Sequence, residues 1–220
     1  ARVGQKAPNF TLKDAAGKEY RLSDQAGKIV VLEWINPDCP VCKRVSQRGL
    51  TAGMLADTKA MRPDIVVWAI NSTKETEPQK SADYLKSHKL DVPGLSDANG
   101  SVGRRFGART TPHVFVLDPK GVLRSSGAFD NDPSGNKGAD TTNYVVNAVG
   151  QIVAGDTVTP DTTRPYGCSV KYAAASNDRP QRGERGQRGN RGDLMRAFDL
   201  DGDGELSASE RKAMFEAMWE

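Results

Sequence analysis

A chain of 220 residues that is 37% hydrophobic and 27% charged has apolar material for one ordinary core and an appendage. It contains no run of about 18 apolar residues, so no segment reads as a membrane-spanning helix. The net charge of +3 is unevenly spread: residues 193–220 hold eight acids against three bases, residues 176–192 hold five bases against two acids, and the remaining bases are dispersed, which excludes a nucleic-acid-binding profile.

Residues 3–12 read as an extended lead-in with Pro8 at a strand edge, residues 14–17 as a turn, and Lys18 to Leu22 as a return strand. Ile29-Val30-Val31-Leu32 is an apolar run long enough for a buried strand. It leads through Glu33-Trp34-Ile35-Asn36-Pro37-Asp38 into Cys39-Pro40-Val41-Cys42, and Val41 to Arg62, free of proline, reads as one helix. Pro40 suits the first turn, where no backbone N–H is missed. Cys39 then lies at the helix N-terminus, which favours negative charge, lowers its pKa and makes it the nucleophile. Cys42, one turn further in, can close a short disulfide with it. Asp38 opposes the depression, and Lys43 and Arg44 are expected to offset Asp38 in part.

Ile65 to Asn71 reads as a second buried strand, and Gln79 to Lys89 as a helix with Tyr84, Leu85 and His88 near one face. Ser101 to Phe106 is a short helix after a turn at 97–100. Thr110-Thr111-Pro112 runs into a strand ending at Leu117, and Asp118-Pro119-Lys120-Gly121 turns it into a second strand over Val122–Phe129. A loop at 130–140 precedes a final helix from Thr141 to Ala154. Alternating strands and helices closed by a hairpin imply an α/β sandwich, a mixed central sheet flanked by helices. Trp34 and Trp68 read as core residues and His88 as a helix-surface residue. His113 follows Pro112 near the cysteines, yet two histidines with three cysteines do not make a closed zinc site.

A C-x-x-C alone is a weak signal. With a strand before it, a helix after it, Glu33 six residues upstream and Thr111-Pro112 downstream, it resembles the thioredoxin superfamily. The opening pattern, Gly4, Ala7-Pro8, Phe10 and Leu12 followed by Asp14 and Gly17-Lys18, is similar to the redoxin branch with its TlpA-like and peroxiredoxin-like members. The resemblance implies a thioredoxin-like fold over residues 1–175 and thiol–disulfide exchange on a protein or small-molecule disulfide. It makes Cys39 the attacking thiol, Cys42 the resolving one, Glu33 the proton acceptor for Cys42, and Thr111-Pro112 a cis-proline loop that aligns the substrate. One alternative is a thiol peroxidase with Cys39 as peroxidatic cysteine, although Asn36 stands where that signature has threonine. Another is a calcium-dependent binding module on an inactive redoxin scaffold.

Residues Arg164 to Tyr172 resemble the tail of a redoxin-domain group of bacterial secreted proteins, whose members often carry only the first cysteine of the pair. Cys168 within it stays open as a resolving or a structural thiol. That resemblance implies an exported protein, periplasmic or secreted, with its signal peptide removed, and a start at Ala1 rather than Met is consistent with a processed or trimmed N-terminus.

Glycines 183, 186, 189 and 192, separated by Glu-Arg, Gln-Arg and Asn-Arg, mark residues 176–192 as a cationic linker; collagen would need many more triplets and much proline. In residues 193–220, Asp199 to Glu210 match the twelve-residue EF-hand loop. Calcium needs about six or seven oxygen ligands, supplied by Asp199, Asp201, Asp203, the Glu205 carbonyl, Ser207 and bidentate Glu210, with Gly204 at the sharp turn. EF-hands pair, and only one is present, so EF-hand-mediated self-association is among the expected contacts.

Overall fold

A strand apolar on both faces belongs in the middle of a sheet covered on both sides, and Val30–Trp34 takes that place, buried along its whole length. The structure, a computed structural model, describes residues 1–173. The strands are β1 (Thr11–Lys13), β2 (Glu19–Arg21), β3 (Val30–Trp34), β4 (Val66–Asn71), β5 (Gly94–Ser96), β6 (Thr110–Thr111), β7 (His113–Leu117), β8 (Leu123–Gly127) and β9 (Cys168–Ser169). Seven form one sheet in the order β2-β1-β5-β4-β3-β7-β8, while β6 and β9 make a separate pair. β3, β4 and β5 run parallel to their neighbours within that trio, and the other pairings are antiparallel. The sheet is mixed, as expected. The helices are α1 (Pro40–Gln47), α2 (Leu50–Met61), α3 (Pro78–Ser87), α4 (Ser101–Phe106) and α5 (Tyr144–Ala154).

Alternation along the strands sorts the side chains into two cores. On one face Val31, Ile35, Val67, Val114 and Val116 pack with Val45 of α1, Met54 of α2, Leu85 of α3 and Val149 of α5, together with Cys39 and Cys42. On the other, Leu32, Trp34, Trp68, Ile70 and Phe115 pack with Phe10 and with Phe106 of α4. Both tryptophans read as core are buried.

Two helix boundaries differ most from expectation. The stretch from Val41 to Arg62, expected as one helix, is two. Gly49 adopts φ +71°, and its N–H bonds the Ser46 carbonyl, which ends α1. The Gly49 carbonyl then accepts from Gly53 and starts α2. Glycine alone takes this left-handed conformation without strain, so no proline is needed for the break. The helix expected from Thr141 begins at Tyr144, because the Asn143 side chain accepts from the N–H groups of Val145 and Val146 and caps it there. The linker at 176–192 and the EF-hand at 193–220 lie outside the described residues.

Candidate active site

β3 ends in a turn built by Asn36. Its side-chain oxygen accepts from the Asp38 N–H at 2.8 Å and its carbonyl from the Cys39 N–H at 2.9 Å. The turn delivers Cys39 to the N-cap of α1, with Pro40 at the first helical position. Cys42 falls in the first turn, and both thiols are reduced and buried.

The protonated Cys39 thiol donates to the Thr111 carbonyl at 3.0 Å. As a thiolate it is stabilised above all by the Cys42 thiol. Weaker support comes from the Cys168 thiol, Thr111 and the backbone N–H of Cys42, so its pKa lies well below the ordinary thiol value in spite of burial. Cys42 is pushed the other way, first by its hydrogen bond to Cys39 and then by desolvation. The Cys42 N–H at the helix start contributes less than the neighbouring thiol. Asp38 is paired with Lys80, whose ammonium stands 2.6 Å from the carboxylate. The hydrogen bond from Lys80 holds Asp38 below the usual carboxylate range, and Lys43 adds a smaller effect. Arg44, expected to help, instead donates to the Pro133 carbonyl.

Glu33 is buried between β4 and β7, opposite Ala69 and Val114. Strand alternation puts it on the face that carries the cysteines, and desolvation raises its pKa to about 7. A small enclosed cavity brings Glu33 together with Ser46, Thr51 and Tyr84. The Tyr84 hydroxyl donates to the Cys42 carbonyl at 2.9 Å and lies 2.7 Å from the Ser46 hydroxyl. The Thr51 hydroxyl has no partner among the described residues. Sequence reasoning missed Ser46 and Lys80, and took Tyr84 only as part of a helix face. The available signal was the i, i+4 spacing of Cys42 and Ser46 on one helix.

The Thr111–Pro112 peptide is cis, and Thr111 is buried beside Cys39. His113 faces the opposite core, stacked 4.4 Å from Phe115. The Arg109 N–H donates to its Nδ1, and burial lowers its pKa to about 4. It is a neutral packing residue turned away from the thiols. Cys168 lies on β9, directly opposite Thr111. Cys39, Cys42, Cys168, Glu33, Thr111 and Pro112 are therefore gathered in one place, whereas Asp199, Asp201, Asp203, Glu205, Ser207 and Glu210 lie outside the described residues. The arrangement offers an acidified thiol, a second thiol one turn behind it, a buried carboxyl, and a backbone edge at Thr110–Thr111 that β9 of the same chain occupies.

Comparison with known proteins agrees with this chemistry. The AhpC/TSA family model matches residues 3–126. The thioredoxin-like protein YneN of Bacillus subtilis is 28% identical over 122 residues, 55% of this chain and 68% of its own length. The thiol-disulfide oxidoreductase ResA of the same organism is 28% identical over 120 residues, and the match spans 54% of this chain and 64% of ResA. The crystal structure of a hypothetical protein, SMc02350 from Sinorhizobium meliloti 1021, superposes with a TM-score of 0.68 at 27% identity, covering 79% of this chain and 96% of the other.

Proposed function

The chain belongs to the AhpC/TSA family and has a thioredoxin-like fold, and from that premise we propose that it is a thiol–disulfide oxidoreductase acting on protein or small-molecule disulfides. One observation carries the reading: the acidified Cys39 stands at the N-cap of α1 with the Cys42 thiol beside it and the cis-proline loop against it. Cys39 thiolate attacks a substrate sulfur and forms a mixed disulfide, releasing the first substrate thiolate. Cys42, deprotonated by Glu33, attacks Cys39 Sγ, releases the second substrate thiolate and leaves a Cys39–Cys42 disulfide. With a pKa near 7, Glu33 can take that proton at neutral pH and return it in the reverse direction. Thr111 and Pro112 align the incoming chain next to Cys39.

The peroxidase alternative fits less well, because Asn36 spends its side chain on the turn that presents Cys39. Calcium binding by Asp199 to Glu210 and an exported location complete the proposal, supported by the loop spacing and by the abundance of calcium outside the cytoplasm. The deciding experiment equilibrates the protein in dithiothreitol and glutathione buffers and traps its thiols. The reading requires a two-electron Cys39–Cys42 couple, at a potential between roughly −270 mV and −120 mV. Insulin-disulfide reduction that survives intact in Cys39→Ser would overturn it.

A further inference from the structure

After α5 the chain returns along the edge of the sheet. Ser126 of β8 donates its N–H to Asp161 and accepts from Thr163, and Thr163 Oγ1 accepts from the Ala128 N–H at 2.8 Å. The Tyr166 hydroxyl then donates to buried Asp130. At Gly167 the backbone meets the cis-proline loop at φ +119°, and a Cβ there would stand 2.1 Å from the Thr111 carbonyl oxygen. Only glycine permits that approach. Cys168 and Ser169 pair antiparallel with Thr111 and Thr110. Beyond them the Val170 N–H donates to the Arg109 carbonyl at 3.0 Å, the Lys171 carbonyl accepts from Lys74, and the Tyr172 hydroxyl donates to the Ala108 carbonyl at 2.7 Å. The Arg104 guanidinium covers the Tyr172 ring, 4.8 Å from its centroid.

The tail is therefore anchored on both sides of Cys168. It fills the Thr110–Thr111 backbone edge next to Cys39 and sets a third thiol against Cys39. The family match ends at residue 126, well before this strap.

We propose that Cys168 is an internal substrate of Cys39: its strand holds the Thr110–Thr111 edge where the polypeptide of a disulfide substrate would pair, and in the oxidised protein it exchanges with Cys42 to form a Cys39–Cys168 disulfide that closes that edge. The proposal rests on the Cys39–Cys42 reading above. Cys168 thiolate attacks Cys39 Sγ of the Cys39–Cys42 disulfide. The Cys39–Cys168 bond forms, the Cys39–Cys42 bond breaks, and Cys42 departs with the electron pair as a thiolate. The proton lost by Cys168 is balanced by the one Cys42 takes up, with Glu33 as the nearby acid. One disulfide is exchanged for another, so no further oxidant is consumed. Contact with Cys39 raises the pKa of both Cys42 and Cys168. Cys39 Sγ is thus within reach of two thiols, and both disulfides are expected in the oxidised protein.

The test is disulfide mapping of the full-length protein after treatment with oxidised glutathione, acid quench and alkylation with N-ethylmaleimide, in wild type, C42S and C42S/C168S. Wild type is expected to yield Cys39–Cys42 and Cys39–Cys168 peptides, the second with Cys42 alkylated. C42S should close Cys39–Cys168 and carry at least about tenfold less glutathione on Cys39 than C42S/C168S does. Equal glutathione adducts in the two variants, with no Cys39–Cys168 peptide in either C42S or wild type, overturn the internal substrate while a wild-type Cys39–Cys42 peptide leaves the dithiol reading standing. Absence of the Cys39–Cys42 peptide from wild type overturns both. The wild-type map involves no substitution, so a variant that folds poorly does not blunt the result.

Discussion

The Lys80 ammonium lies 2.6 Å from the carboxylate of Asp38, the residue just before the attacking thiol. α3 thus supplies the cation that keeps an adjacent negative charge from opposing the Cys39 thiolate. Removing it with Lys80→Ala should raise the Cys39 pKa from about 4 and slow iodoacetamide labelling of Cys39 at or just below pH 4 by up to about fivefold, since exposed pairs are worth only about 0.2–1 kcal/mol. Asp38→Asn should shift the profile the other way. Both effects should shrink in high salt, and Cys39 should label ahead of Cys42 throughout. An unchanged Lys80→Ala profile would mean that the pair does not reach the thiol.

Glu33 makes a prediction about pH and stability. Its folded pKa of about 7 lies above the ordinary 4.5, so the folded protein holds its proton more tightly than the unfolded chain. Stability from this group is full below about pH 4.5 and is lost as pH rises toward and through 7, by about 3 kcal/mol in all. Glu33→Gln should flatten that decline in urea denaturation followed from pH 4.5 to 8. It should also let the mixed disulfide on Cys39 accumulate, because Cys42 loses its proton acceptor. Parallel stability curves for the two proteins would contradict the buried-carboxyl account.

Gly167→Ala tests the strap. The added methyl meets backbone rather than a flexible side chain, so the tail must shift, at about 1–3 kcal/mol. The melting temperature should fall, and Cys168 should alkylate faster than in wild type. A variant with wild-type melting and wild-type protection of Cys168 would show that the approach is looser than described.

For the proposed calcium loop, calorimetric titration of the full chain with calcium should give one site. Glu210→Gln should weaken it by at least about tenfold through loss of the charged bidentate ligand. No heat of binding in the wild-type chain would remove calcium from the proposal.

Much of the site could be read from local pattern. The run into Glu33 and the Cys39-Pro40 step predict a strand delivering a thiol to a helix start, and alternation along β3 puts Glu33 on the thiol side. What escaped depends on residues far apart in the chain or on single exceptions. A glycine within an otherwise helical run is compatible with a continuous helix, as Gly53 inside α2 is, so the break at Gly49 left no clear mark. β5 is three residues long and takes its identity from its pairing with β4 and β1. The partnership of Cys168 with Thr111, and that of Tyr84 with Cys42, join segments with no shared periodicity.

The division of the sheet into two cores decides how oxidation can be watched. Trp34 directly follows Glu33, yet its indole points to the far face, where its N–H donates to Ser72 at 2.9 Å. Trp68 lies on the same far side. A disulfide quenches indole emission through contact, and a layer of backbone separates Cys39 and Cys42 from both rings. Native tryptophan emission from this pair will therefore stay nearly constant as the thiols are oxidised. On the thiol side Tyr84 is bonded to the Cys42 carbonyl, so near-ultraviolet tyrosine signals offer an optical handle on redox state.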